Sequence, residues 1–146
     1  MANSIEIRGH EAKVALDIVK FERPKSMNED DANWLTVQLT VTLKHFSCLI
    51  GISLRTYELE QLQSELNSCL KALSGTATLR PLEPKLQLEL AFDNRGHVSV
   101  EGIVQTLGPR KTSLSFSFDS DQSHLAETDR QLKAALRNFP VQRRAG

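Results

Sequence analysis

The chain has almost no cysteine. Cys48 and Cys69 are the 2 thiols in 146 residues. They form no C-x-x-C pair and have no further ligand residue nearby, so a disulfide framework and a cysteine-based zinc module are both excluded. Each stands among apolar neighbours and is expected to be a buried thiol. An excess of either charge is also lacking, since 18 Lys+Arg balance 18 Asp+Glu. Sequence-independent nucleic-acid binding draws its affinity from phosphate neutralisation, so a nucleic-acid partner is not expected. The short basic pair Arg143–Arg144 is read as a solvated tail. No apolar run approaches the roughly 18 residues that span a bilayer, so no membrane partner is expected. Met1 to Ile7 lack the basic and apolar regions of a signal peptide, which makes the reducing cytoplasm the expected location.

Recognisable catalytic chemistry is absent as well. His10, His45, His97 and His124 never stand at i, i+4, and no H-x-H or H-E-x-x-H occurs. The run Glu29-Asp30-Asp31 lacks the spacing of an EF-hand loop. There is no G-x-S-x-G, no P-loop and no G-x-G-x-x-G. Glu83, between Leu82 and Pro84, is the most unusual carboxylate, and a turn role accepting backbone N–H bonds is expected for it. The reading is a non-enzyme with no metal and no cofactor.

What is present is an ordinary globular composition, 40% apolar and 25% charged, in a length that suits one domain over residues 1–146. Ile5 and Ile7, then Val14, Leu16 and Ile18, alternate with polar residues around a turn at Gly9, as in a hairpin. Residues 24–33 read as a polar loop. Leu35, Val37, Leu39, Val41 and Leu43 face one way and Trp34, Thr36, Gln38, Thr40 and Thr42 the other. That is a strand with one buried face. Phe46, Cys48, Ile50, Ile52 and Leu54 continue as its antiparallel return.

The period then changes. Leu59, Leu62, Leu66, Cys69, Leu70 and Leu73 recur at three and four, which predicts an amphipathic helix over about 57–73. Thr56 is its expected N-cap and Gly75 its expected left-handed terminator. Thr76 to Arg80 form a short strand ended by Pro81. Leu86 to Phe92 alternate and turn at Asp93–Gly96. Val98, Val100 and Val104 return, with Gly102 as a bulge or close approach. Leu114, Phe116 and Phe118 alternate with Ser113, Ser115 and Ser117. A second helix over about 122–138 follows, capped by Asp121 and stopped by Pro140. The fold class is α+β: a mainly antiparallel sheet of about seven or eight strands, curved or sandwich-like, with two amphipathic helices. No internal repeat is visible.

Recognition of another protein fits this pattern best. Trp34, the one tryptophan, faces away from the Leu35/Val37/Leu39 set and is a candidate interface anchor. A cover for a small secondary core is the alternative. With the preceding Glu29, Asp30 and Asp31 it forms the candidate partner-binding site. The alternative function is a small-molecule-binding or regulatory β-rich domain, which a large apolar pocket lined by Phe92, Phe116 and Phe118 would favour.

Three motifs add a resemblance. Asn33-Trp34-Leu35-Thr36-Val37, preceded by Asp31-Ala32, looks like the D-x-N-W-L-x-V segment of the WapI family of immunity proteins. Leu54-Arg55-Thr56-Tyr57-Glu58-Leu59 is similar to its L-x-T-x-E-L, and Leu82-Glu83-Pro84-Lys85-Leu86 to its L/I-E-P-x-L. The closing helix, ending Leu136-Arg137-Asn138-Phe139-Pro140, also fits. The order and spacing of these motifs span about Ile5 to Arg143. The resemblance implies a small cytoplasmic antidote that binds the toxic C-terminal domain of a polymorphic toxin, with no catalytic residues of its own.

Overall fold

The computed structural model describes residues 3–144. Its elements run β1 (Ser4–Gly9), β2 (Ala12–Phe21), α1 (Glu29–Ala32), β3 (Trp34–Thr42), β4 (Ser47–Arg55), α2 (Thr56–Ala72), β5 (Gly75–Leu79), β6 (Leu86–Phe92), β7 (His97–Gln105), β8 (Ser113–Asp121) and α3 (Gln122–Asn138). Two four-stranded antiparallel sheets result, ordered β1-β2-β3-β4 and β5-β6-β7-β8. Each is a meander, because short links return the chain to the strand it has just left. The α+β expectation holds, in the form of two sheets and not one curved sheet.

Alternation decides which face each strand buries. Leu35, Val37, Leu39 and Val41 are inaccessible to solvent, whereas Gln38 and Thr42 on the same strand are exposed. Leu88, Leu90, Val98, Val100, Val104 and Phe116 do the same for the second sheet. Leu59, Leu62, Leu66 and Cys69 of α2, with Leu125, Leu132 and Ala135 of α3, join both sheets in one continuous core. Among the described residues, no helix is long and apolar enough to cross a membrane.

An architectural repeat emerges that the sequence does not show. Each half is a four-stranded meander whose last strand runs straight into a 17-residue helix, α2 or α3. Leu59 and Leu66 hold the same helix positions as Leu125 and Leu132, and all four are buried. Gln63 and Asp129 are likewise equivalent, and they bond to each other at 3.0 Å where the helices meet. Along the 17 positions of the two helices the same residue recurs only at Leu59/Leu125, Leu66/Leu132 and Leu70/Leu136, which is why no repeat is legible in the residues.

The helices exchange sheets. α3 follows the second sheet but packs on β1 of the first, and α2 follows the first but packs on β5 of the second. Both cover an open strand edge with side chains. Gln131 Oε1 accepts from Glu6 N at 2.7 Å, and Thr128 Oγ1 donates to Glu6 O at 2.6 Å. Glu65, equivalent to Gln131, accepts from Thr78 N at 2.9 Å. An unpaired edge N–H buried beside a helix would otherwise lose its hydration uncompensated.

Several local expectations are corrected. The polar loop contains one helical turn, α1, because Asn28 Oδ1 accepts from Asp31 N at 3.0 Å and caps it. Arg55, not Thr56, is the N-cap of α2, and Thr56 is its first helical residue. Leu73 takes the left-handed conformation at the end of α2, at φ 50°; Gly75 also has a positive φ, 90°, but stands past the cap, as the first residue of β5. The β1–β2 turn is made by His10 and Glu11, since Gly9 lies within β1. Gly9 is needed for closeness: a Cβ there would collide with Asp119 O and the Phe118 ring, where β1 meets β8. Gly102 is no bulge, because the register Leu88–Gly102–Phe116 runs through it, but the Phe116 ring occupies the space of its missing Cβ. The basic tail is not merely solvated: Arg144 donates to Ser26 O and Pro24 O, each at 2.9 Å. Asp121 caps α3 as expected, accepting from His124 N at 2.9 Å.

Candidate interaction site

The three motifs that carry the resemblance lie far apart in sequence and meet at one place in the fold. Asn33 is the hinge of that meeting. Its side chain is fully buried. Nδ2 donates to Glu29 O at 2.7 Å, Gln142 O at 2.8 Å and Tyr57 Oη at 3.2 Å. Oδ1 accepts from Gln142 N at 2.6 Å. Its main-chain carbonyl accepts from Thr56 N at 2.9 Å, at the head of α2. Asn33 therefore ties α1, β3, α2 and the segment after α3 together, as a carboxamide can by donating and accepting at once.

Glu58 is the second tie, and it is almost buried. Oε1 accepts from Arg55 N at 2.7 Å, the glutamate half of a capping box. The arginine cannot complete the other half, because a guanidinium has no acceptor. Glu58 Oε2 accepts from Leu82 N at 2.7 Å and from the Arg55 guanidinium at 3.3 Å. This carboxylate thus joins the second motif to the third. Leu82, held by its backbone between Pro81 and Pro84, is 64% exposed. Glu83 has the expected turn role through its main chain and not its carboxylate: its carbonyl accepts from Lys85 N at 2.9 Å, while its carboxylate lies 3.7 Å from Lys85 Nζ.

Trp34 and the acidic turn sit on the outer side of this junction. Trp34 pairs with Arg55 across β3 and β4, and the guanidinium carbon lies 5.9 Å from the centroid of the half-buried ring. Asp30 Oδ1 reaches Arg55 at 3.2 Å. Burial works against the Arg55 charge, but the carboxylates of Asp30 and Glu58 outweigh it and raise its pKa. Asp31 lies 3.6 Å from Arg23. The fold thus brings Asp30, Trp34 and Arg55 together. Glu29 is half-buried on the same turn, and its charge, after burial itself, raises the pKa of Tyr57.

Arg55, Glu58 and Leu82 were not singled out from the residues as site candidates. Arg55 and Glu58 carried a signal, since a glutamate three residues after a helix N-cap marks a capping box. Leu82, an apolar residue bracketed by prolines, carried a weaker one.

Other surface features are shallow. Phe116 and Phe118 stack with centroids 6.2 Å apart and border a cleft of about 330 Å³ with His10, His45 and Phe46. The buried Phe92 does not line that cleft. A groove of about 460 Å³ crosses the outer face of the second sheet, where Glu89 and Glu101 stand directly opposite each other. Among the described residues, no three His, Cys, Asp or Glu side chains cluster as metal ligands would.

No curated protein matches this chain. A family model does, over residues 5–140, which include both sheets and all three helices. The chain therefore belongs to the immunity protein WapI-like family.

Proposed function

We propose that this chain is a stoichiometric antidote: it binds the toxic C-terminal domain of a polymorphic toxin in the cytoplasm and blocks it without catalysis. The observation that carries this reading is the family match over nearly the whole chain. For the contact surface we propose Trp34 with Glu29, Asp30 and Asp31. Two features support that choice. The acidic turn is pinned from beneath by buried Asn33, so it presents its charges with little ordering left to do on binding. The Trp34 ring is already fixed under Arg55, as suits an aromatic anchor.

Growth rescue tests both parts. The C-terminal domain encoded by the neighbouring upstream gene is expressed in a sensitive host with and without this chain. Rescue is expected. In purified form, Trp34→Ala is expected to weaken the complex by about 2 kcal/mol, roughly thirtyfold in Kd. Charge reversal at Asp30 and Asp31 should slow association, more so at low salt. A toxic domain that this chain fails to neutralise overturns the antidote reading for that partner. Rescue that is indifferent to all three substitutions, in variants with wild-type circular dichroism, moves the contact surface elsewhere.

A further inference from the structure

We propose that the segment after α3 is a clasp for the candidate interaction site: Gln142 and Arg144 are positioning residues that hold the turn of Glu29, Asp30 and Asp31 in the conformation a partner meets. This inference rests on the antidote reading above and names what keeps that surface in shape.

Local forces are too weak to order the turn. α1 has four residues, and Ala32 is its one buried side chain. A single helical turn fixes more backbone freedom than its hydrogen bonds return. Of the residues leading into it, Pro24, Lys25, Met27 and Asn28 are exposed. Within this loop Ser26 N donates to Arg23 O and Asn28 N to Ser26 Oγ, each at 3.1 Å. The Arg23–Asp31 pair, at 3.6 Å, faces solvent and adds little.

The missing order comes from residues 109 to 120 positions later. Arg144 Nε donates to Ser26 O and its Nη2 to Pro24 O, each at 2.9 Å. A planar guanidinium presents its donors as a fixed fork, so one conformation makes both bonds. The two carbonyls straddle Lys25. Among the described residues, these two bonds are the ones that tie Pro24–Asn28 to anything beyond the loop and α1.

Gln142 supplies the second point of attachment. Its N–H donates to Asn33 Oδ1 at 2.6 Å, and its carbonyl accepts from Asn33 Nδ2 at 2.8 Å. Nδ2 also holds Glu29 O at 2.7 Å, so Gln142 sets the carboxamide on which the acidic turn rests. The clasp therefore grips the chain on both sides of that turn, at residues 24–26 and at residue 33. Phe139 brings the segment to this place: its ring meets Phe21, the last residue of β2, edge-on at 5.4 Å.

Both clasp residues lie past residue 140, where the family match ends, whereas Asn33 and the acidic turn lie inside it. The clasp is thus a property of this chain that family membership does not supply. Its consequence for binding is a population effect. A turn that holds its binding conformation for a fraction of the time loses apparent affinity by that fraction.

Hydrogen exchange on the full chain, with binding to the upstream-encoded toxin domain, tests this. Arg144→Ala removes the fork from a half-buried position and should leave circular dichroism unchanged. Exchange at the Ser26, Asp31 and Ala32 amides should speed up about tenfold, as in a local opening, with the Val37 and Leu39 amides of β3 unaffected. The complex should weaken about three- to tenfold. Gln142→Pro, which removes the other donor, should act on the same Asp31 and Ala32 amides. Unchanged exchange in Arg144→Ala overturns the clasp. Faster exchange with unaltered affinity overturns its positioning role. Weaker binding without faster exchange makes Arg144 a direct contact, and overturns it too. In each of these cases the wild-type chain still binds the toxin domain and the antidote reading stands. A wild-type chain that does not bind that domain sinks the antidote reading, and the positioning role with it.

Discussion

Asn33 shows how much one side chain can decide. It is buried, and its carboxamide serves two main-chain carbonyls, a tyrosine hydroxyl and one main-chain N–H. Asn33→Ala leaves those groups without partners and should cost about 2–4 kcal/mol in urea unfolding, since each orphaned buried group carries its own desolvation penalty. Asn33→Asp should be no better, because an acceptor would then face the carbonyls of Glu29 and Gln142. Asp93 offers a pH-dependent case. Its carboxylate accepts from Arg95 N at 2.9 Å and His97 N at 3.0 Å, and these bonds, the Arg95 one foremost, hold its pKa below the ordinary range. A carboxyl whose folded pKa is depressed stabilises fully above its unfolded pKa and loses that contribution as pH falls through the folded one. Asp93→Asn keeps an acceptor but removes the charge. The gap in thermal midpoint between wild type and Asp93→Asn should therefore be present at neutral pH and close on acidification below the usual carboxylate range.

Strands and helices were legible to different depths. The alternation of Leu35 to Leu43 and the three-four stripe of Leu59 to Leu73 report faces directly, because side-chain direction follows backbone period. Helix ends were less legible. Asp121 was found because it caps with its own carboxylate, whereas α2 is capped by Glu58 reaching back from inside the helix. The sheet edges were not legible at all. Glu65 and Gln131 read as surface polar residues in sequence, yet each satisfies an edge N–H of the opposite sheet. Glu65→Ala and Gln131→Ala should each cost about 1–2 kcal/mol. Native-state hydrogen exchange should speed up selectively at the Thr78 amide in the first variant and at the Glu6 amide in the second. A uniform change across the sheet would mean that the side chains act on global stability alone.

For the whole molecule, the exchanged helices join the two halves through one continuous core, and the prediction is one cooperative unfolding unit. Neither meander has its own closed core, since α2 and α3 lie between the sheets' first strands and bond through Gln63 and Asp129. Unfolding followed by Trp34 fluorescence, which reports the first half, should therefore coincide with far-ultraviolet circular dichroism, which reports both. Two separated transitions would show that the halves are energetically independent. The same exchange explains why the candidate site lies at a junction: the first motif ends α1, the second opens α2, and the third lies between β5 and β6.

By itself the sequence determined the strands and the two long helices, their buried faces and, through the order of three short motifs, the family; the single turn of α1 escaped it. Those properties are local or additive: a period of two or of three to four needs no knowledge of the partner surface, and motif order is read along one dimension. Only the tertiary structure decided that the strands divide into two equivalent sheets, that each helix caps the other sheet, and that Asn33, Arg55, Glu58 and Leu82 form one network. The physical reason is that a hydrogen-bond partner is chosen by distance in space. A carboxylate in a helix looks the same in sequence whether it meets water, an arginine three residues back or a strand edge more than a dozen residues away.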